Sequence, residues 1–208
     1  MIFRPNDGII VGIMEQKFNP EEVSLIIGLG NPEKSYEKTY HNAGALYLAH
    51  LLSVRTKDPL PLERVKTFAY GVAGTKTLIR SLAPMNESGL AVAAALKYFN
   101  KKPGSLLVIQ DDSDLTLGTY KFSFGRGAAG HNGILSIMRT LHTKDFWRLR
   151  IGIRPPSKEG EGREKALDFV LKKISPAAIE KLQSVFTKID AVLFLKEKIA
   201  PKKGRAIN

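Results

Sequence analysis

The sequence predicts an α/β sandwich built as one domain, and three observations predict it. Short apolar runs alternate along the chain with segments of helical period, the pattern expected where helices cover a sheet. With 208 residues and a hydrophobic content of 43%, the chain is long enough to bury one core. Neither an internal repeat nor a dividing linker interrupts it. The domain is read over residues 23–198, with an N-terminal extension at 1–22 and a basic C-terminal tail at 199–208.

The first strand is Val23 to Ile27, an apolar run that leads into Gly28-Leu29-Gly30. A helix follows over Asn42 to Arg55, because Ala43, Leu46, Tyr47, Leu51 and Val54 recur close to helical spacing. The loop between them carries Asn31 and His41 and opens at the carboxyl end of the strand, where α/β proteins place ligands. Thr67 to Ala73 and Thr77 to Leu82 read as a hairpin about Gly74. Next comes an Ala-rich helix from Ser88 to Phe99, started by Asn86. Ser105 to Gln110 is short and apolar enough for a buried strand, stopped by Asp111-Asp112. Tyr120 to Phe124 is a strand, Asn132 to His142 a helix, and Arg148 to Ile153 a strand alternating basic and apolar residues. Pro155 to Arg163, rich in Pro, Gly and charge, is expected to be a mobile loop. Ser175-Pro176 then opens a long helix with Ile179, Leu182, Phe186, Ile189 and Leu193 on its apolar stripe.

Charge and composition narrow the function. Thirty-two Lys and Arg against 20 Asp and Glu give a net charge of +12, thickening near Lys196-Glu197-Lys198 and Lys202-Lys203-Gly204-Arg205. A polyanion is the natural partner of such a surface. The absence of Cys excludes disulfides, a thiolate nucleophile and Cys-ligated zinc. No apolar run approaches the roughly 18 residues of a membrane span, so no membrane partner is expected. The first twenty residues, with Asp7 and Glu15 and few basic residues, make a poor signal or transit peptide. The expected compartment is the cytoplasm or a mitochondrial matrix.

Polar residues cluster at the element ends. Taken singly each has an ordinary explanation: His41 as a structural histidine, Asn86 and Asn132 as helix N-caps, and Asp111, Asp112 and Asp114 as turn residues after a strand. Taken together, an imidazole, a carboxylate and three carboxamides suit a proton-transfer hydrolase. The imidazole activates water, the carboxylate orients it, and amide donors hold a carbonyl. Other chemistries fit worse. His41, His50, His131 and His142 lack the i, i+4 spacing of a helical metal pair, no H-E-x-x-H occurs, and no G-x-S-x-G elbow is present. Gly125-Arg126-Gly127-Ala128-Ala129-Gly130 satisfies G-x-G-x-x-G and raises a nucleotide-dependent oxidoreductase as a rival. The next strand, however, ends in Arg154-Pro155-Pro156 with no carboxylate for a ribose.

Five ordered blocks carry a resemblance. Gly28-Leu29-Gly30-Asn31-Pro32 with Tyr36, Thr39 and His41-Asn42-Ala43-Gly44 comes first, followed by Met85-Asn86 with Ser88-Gly89. Asp111-Asp112-x-Asp114-Leu115 with Gly118, Gly130-His131-Asn132-Gly133 and Arg148-Leu149-Arg150-Ile151-Gly152-Ile153 complete the set. The chain resembles the bacterial-type peptidyl-tRNA hydrolase family over residues 23–154, with a looser match to about residue 195. The resemblance implies a monomeric three-layer α/β/α sandwich around a mixed, mostly parallel sheet. It also implies cleavage, without metal or cofactor, of the ester between a peptide and the 3′ ribose of tRNA. It makes His41 the base, Asp111 its orienting partner, and Asn31, Asn86 and Asn132 the groups that position substrate and water, with Tyr36 and Met85 on the peptide side. Lys121 and Arg150 stand at the positions that hold the tRNA 5′ phosphate.

Several positions depart from the family pattern. Tyr40 stands where Arg precedes the His, Glu87 puts a charge beside Asn86, Gln110 stands where a His often precedes the first Asp, and Gly127 to Gly130 is less glycine-rich than usual. Ser123 stands where a second phosphate-binding Lys is expected, and Arg126 could replace that charge. These departures mark a divergent member, with an organellar home in a eukaryote as one reading. A non-catalytic RNA-binding relative of the same fold, like a plant organelle splicing factor, is the alternative. Retention of His41, Asp111 and all three Asn favours the enzyme.

Overall fold

Seven strands and five α-helices follow one another in the computed structural model, which describes residues 17–55, 63–156 and 165–194. In chain order they are β1 Leu25–Gly28, α1 Ala43–Arg55, β2 Glu63–Val65, β3 Phe68–Ala73, β4 Lys76–Ser81, α2 Ser88–Tyr98 and β5 Leu106–Thr116. Then come β6 Tyr120–Phe124, α3 Asn132–Leu141, β7 Trp147–Arg154, α4 Ala166–Val170 and α5 Pro176–Leu193. One sheet holds all seven strands in the order β2-β3-β4-β1-β5-β7-β6. Its four central strands, β4, β1, β5 and β7, run parallel, while β2, β3 and β6 join at the margins in antiparallel pairs.

Side-chain alternation splits the core into two layers. Ile26, Leu107, Ile109, Leu149 and Ile151 face one way and pack with Tyr47 and Leu51 of α1 and Leu182, Phe186 and Ile189 of α5. Leu25, Ile27, Leu106 and Val108 face the other way, against Ala91, Val92 and Ala95 of α2 and Ile134 and Ile137 of α3. The expected three-layer sandwich results. Close approach sets the seat of α1, because a Cβ on Gly44 would drive into the carbonyl oxygens of Ile109 and Leu29. Ahead of β1, Phe18 stacks on Phe122 with ring centroids 3.9 Å apart and meets Trp147 edge-on.

Three expectations change. The strand read to stop at Asp111-Asp112 continues to Thr116, with a register shift against β7 between Asp112 and Thr116. The carboxylates are tolerated inside the strand because each meets a cationic or protic partner: Asp111 meets two histidines and Asp112 meets Arg150 Nε at 2.6 Å. Asn86 does not cap α2; it sits in a 3-10 turn, Met85–Glu87, and Glu87 occupies the cap position without a side-chain bond. Asn132 is the first residue of α3 and its cap is His131. Strand β2 and helix α4 are additions. The extension before residue 17, most of the loop after Pro156 and the basic tail lie outside the described residues. Among the described residues no helix is long and apolar enough to cross a membrane.

Candidate active site

The carboxyl ends of β1 and β5 bring the proposed residues together. Just after β1, the peptide N–H of Asn31 donates to Asn42 Oδ1 at 2.8 Å, and Asn42 Nδ2 donates back to the Asn31 carbonyl at 3.0 Å. This reciprocal pair closes the loop like a clamp. Asn42 is buried at the foot of α1, so the helix fixes both Asn31 and the 3-10 turn Tyr40–Asn42 that carries His41. Asn31 Oδ1 accepts from the Met85 amide at 2.8 Å, which directs its carboxamide toward the start of α2 and leaves Nδ2 unpartnered among the described residues.

Asp111 stands at the centre. One of its oxygens, Oδ1, faces His41 Nδ1 at 2.9 Å and His131 Nε2 at 3.0 Å, and the two imidazole rings lie 5.0 Å apart. The second histidine has a defined tautomer. Its Nδ1 accepts from the amides of Gly133 at 3.1 Å and Ile134 at 3.4 Å, so the proton must sit on Nε2, which donates to Asp111. Burial alone would raise the Asp111 carboxyl, but the two histidines outweigh it and hold it down at about 2. A permanent carboxylate results, and it in turn favours the Nδ1–H form of His41 and leaves His41 Nε2 as a free lone pair.

His41, Asp111 and His131 also lie close enough to hold a cation in principle, since their donor atoms fall within 4.8 Å of one another. The tautomers argue against it. A metal on His131 Nε2 would require the proton on Nδ1, where two peptide N–H groups already donate. The cluster is a hydrogen-bonded relay.

A cleft of about 130 Å³ runs over this relay, lined by His41, Asp111, His131, Asn132, Ala129 and the exposed Leu167 of α4. Asn132 is exposed at its edge without a side-chain partner. Asn86 is also exposed, on the far side of Asn31 across Met85. Met85 itself is buried and packs beneath Gly133, in the core and not in the open cleft. Tyr36 is half-buried in a 3-10 turn, Lys34–Tyr36, and no contact links its ring to the relay. Lys121, Arg126 and Arg150 come together elsewhere, around a second cavity of about 330 Å³ at the β6–β7 margin, where Arg150 is already paired with Asp112.

Two functional candidates escaped the sequence reading. His131 was legible only as part of the Gly130-His131-Asn132-Gly133 block, because its bond to Asp111 spans 20 residues. Asn42 was equally hidden; a polar residue at the base of a predicted helix gives no sign that it grips a loop eleven residues back.

Comparison with known proteins agrees with this geometry. The sequence profile of the peptidyl-tRNA hydrolase family matches residues 25–205. A peptidyl-tRNA hydrolase of Lactobacillus delbrueckii subsp. bulgaricus is 39% identical over 176 residues, covering 82% of this chain and 91% of that protein. Its counterpart in Prochlorococcus marinus is 34% identical over 184 residues, covering 86% and 90%. The crystal structure of peptidyl-tRNA hydrolase from Acinetobacter baumannii superposes with a TM-score of 0.69 at 27% identity, covering 83% of this chain and 89% of that one.

Proposed function

Since the chain belongs to the peptidyl-tRNA hydrolase family, whose members are ester hydrolases, we propose that it cleaves the bond between a peptide and the 3′ ribose of tRNA by water activated at His41, without metal. The observation that carries this reading is the 2.9 Å bond from His41 Nδ1 to Asp111, which aims a neutral imidazole's lone pair away from the carboxylate. His41 Nε2 takes a proton from water, the hydroxide attacks the peptidyl carbonyl, and the imidazolium formed is stabilised by the ionised Asp111. The unpartnered Nδ2 of Asn31 and the exposed carboxamides of Asn132 and Asn86 are the donors for substrate and for the developing oxyanion. Collapse of the tetrahedral intermediate breaks the C–O bond, and the imidazolium returns its proton to the departing ribose oxygen. An activated ester of this kind needs no Lewis acid.

The acceptor stem would lie across the basic margin, with Lys121, Arg126 and Arg150 on its terminal phosphate. All these groups come from one chain, which supports action as a monomer. The test is release of free tRNA from peptidyl-tRNA. Wild type should release it and His41→Ala should not; equal rates from the two purified proteins would overturn the assignment.

A further inference from the structure

At the sheet margin β6 and β7 pair so that Lys121 lies opposite Arg150 and Ser123 opposite Arg148. Phe122 and Leu149 turn into the α1/α5 layer, so these four polar side chains emerge on the other face. With Arg126 they line the 330 Å³ cavity. Two of them are unusual. Arg148 is only 1% exposed, yet among the described residues it meets no carboxylate. Its Nε donates to Gln110 Oε1 at 2.7 Å, and Nη1 donates to the carbonyls of Gly127 at 2.6 Å and Arg126 at 3.3 Å. Asp112, on the neighbouring strand, is taken by Arg150. A guanidinium buried among neutral acceptors is costly and normally has a counter-charge. Desolvation and the nearby Arg150 accordingly push Arg148 down to about 10. Ser123 is 8% exposed and its Oγ has no hydrogen-bond partner, although buried hydroxyls normally find one.

An unneutralised buried cation and an unsatisfied hydroxyl on one cavity fit an anion that offers oxygen acceptors. We propose that Arg148 and Ser123 complete the pocket for the terminal 5′ phosphate of the tRNA, Arg148 as the buried cation beneath it and Ser123 as a donor to one of its oxygens. This inference rests on the peptidyl-tRNA reading above. It relocates the charge lost at position 123 from the loop to the floor of the pocket. Arg148 also ties down the carbonyls of Arg126 and Gly127, so the same side chain holds the backbone from which Arg126 reaches the anion. Four cations around one cavity, with Asp112 as the carboxylate bonded to them, favour a terminal phosphate dianion over an internal phosphodiester monoanion.

The experiment measures kcat/KM on peptidyl-tRNA bearing either a 5′ phosphate or a 5′ hydroxyl, and reads the ratio within each variant so that general losses cancel. Gln110→Glu places a carboxylate on Arg148 Nε and neutralises it with little change of shape. Ser123→Ala deletes a hydroxyl that has no bond to lose in the free protein. The phosphate preference should fall roughly tenfold in Gln110→Glu and about two- to fivefold in Ser123→Ala, as expected for a charged and a neutral hydrogen bond. A preference unchanged in both variants overturns the inference and leaves the hydrolase reading standing. An equal rise of KM on both substrates assigns the pocket to an internal phosphodiester, which also overturns it. A wild type that ignores the 5′ phosphate removes the whole pocket reading, and this inference with it.

Discussion

At the scale of single residues, one carboxylate oxygen serving two histidines sets what each substitution should do. His41→Ala removes the proton acceptor and should lower turnover by about 10²–10⁴, with tRNA affinity kept within a few fold, since His41 holds no phosphate; turnover and filter binding measured side by side decide it. Asp111→Asn should slow the reaction and move the acidic limb of the pH–rate profile to lower pH, because a neutral partner no longer favours the imidazolium. The limb cannot be the titration of Asp111 itself, which stays ionised down to about 2. An unmoved limb would reduce Asp111 to a structural role. His131→Asn separates the cap from the relay. Asn can still cap α3, so the fold should persist, but the carboxyl of Asp111 loses its strongest partner and should rise from about 2 by the burial that now prevails. Carbon-13 titration of Asp111 measures this directly. The stability that Asp111 contributes follows the same sign: with the folded value depressed, it is present above the ordinary carboxylate range and lost as pH falls through about 2.

Among elements, the seat of α1 and the turn before α3 are the sensitive joints. Gly44→Ala would press a methyl group into the backbone of β5 and the β1 loop, where no side chain can move aside. It should cost about 1–3 kcal/mol in a urea melt and misplace His41 relative to Asp111. The turn behaves oppositely. Gly125 and Gly130 take positive φ without strain, but Ala129 is held at φ 50, in a region L-residues avoid. Ala129→Gly should therefore raise stability by roughly 0.5–1 kcal/mol, and a loss instead would mean that entropy outweighs the relief. These joints also explain how far the sequence could be read. Long periodic segments such as α5 and apolar runs such as β1 were legible, since periodicity is a local signal. Asn31, His41 and Asp111 were legible as polar residues at element ends. The continuation of β5 through Asp111 and Asp112 was not, because partners 70, 20 and 38 residues away make those carboxylates acceptable in a strand. Strand β2, three residues long, and α4, five residues long, are too short to show a period.

The molecule as a whole carries +12, and only part of that charge can hold tRNA in register. Diffuse charge raises encounter rates with any polyanion, whereas cations fixed at one cavity each displace counterions at a defined phosphate. Arg126 and Arg150 differ here. Arg126 is exposed on the turn, so Arg126→Ala should raise KM with little change in kcat, and lower the slope of log affinity against log salt by roughly one. Arg150→Ala should do the same and also destabilise the fold, because it strands Asp112, 7% exposed, without its 2.6 Å partner. Arg150→Lys restores a charge but not the planar fork that can bond Asp112 and a phosphate together, so it should recover stability better than KM. Salt titrations of the three variants against wild type test the division. If Arg126→Ala leaves KM and slope as in wild type, the surface arginine is solvated, and the phosphate must be held by the side chains of β6 and β7.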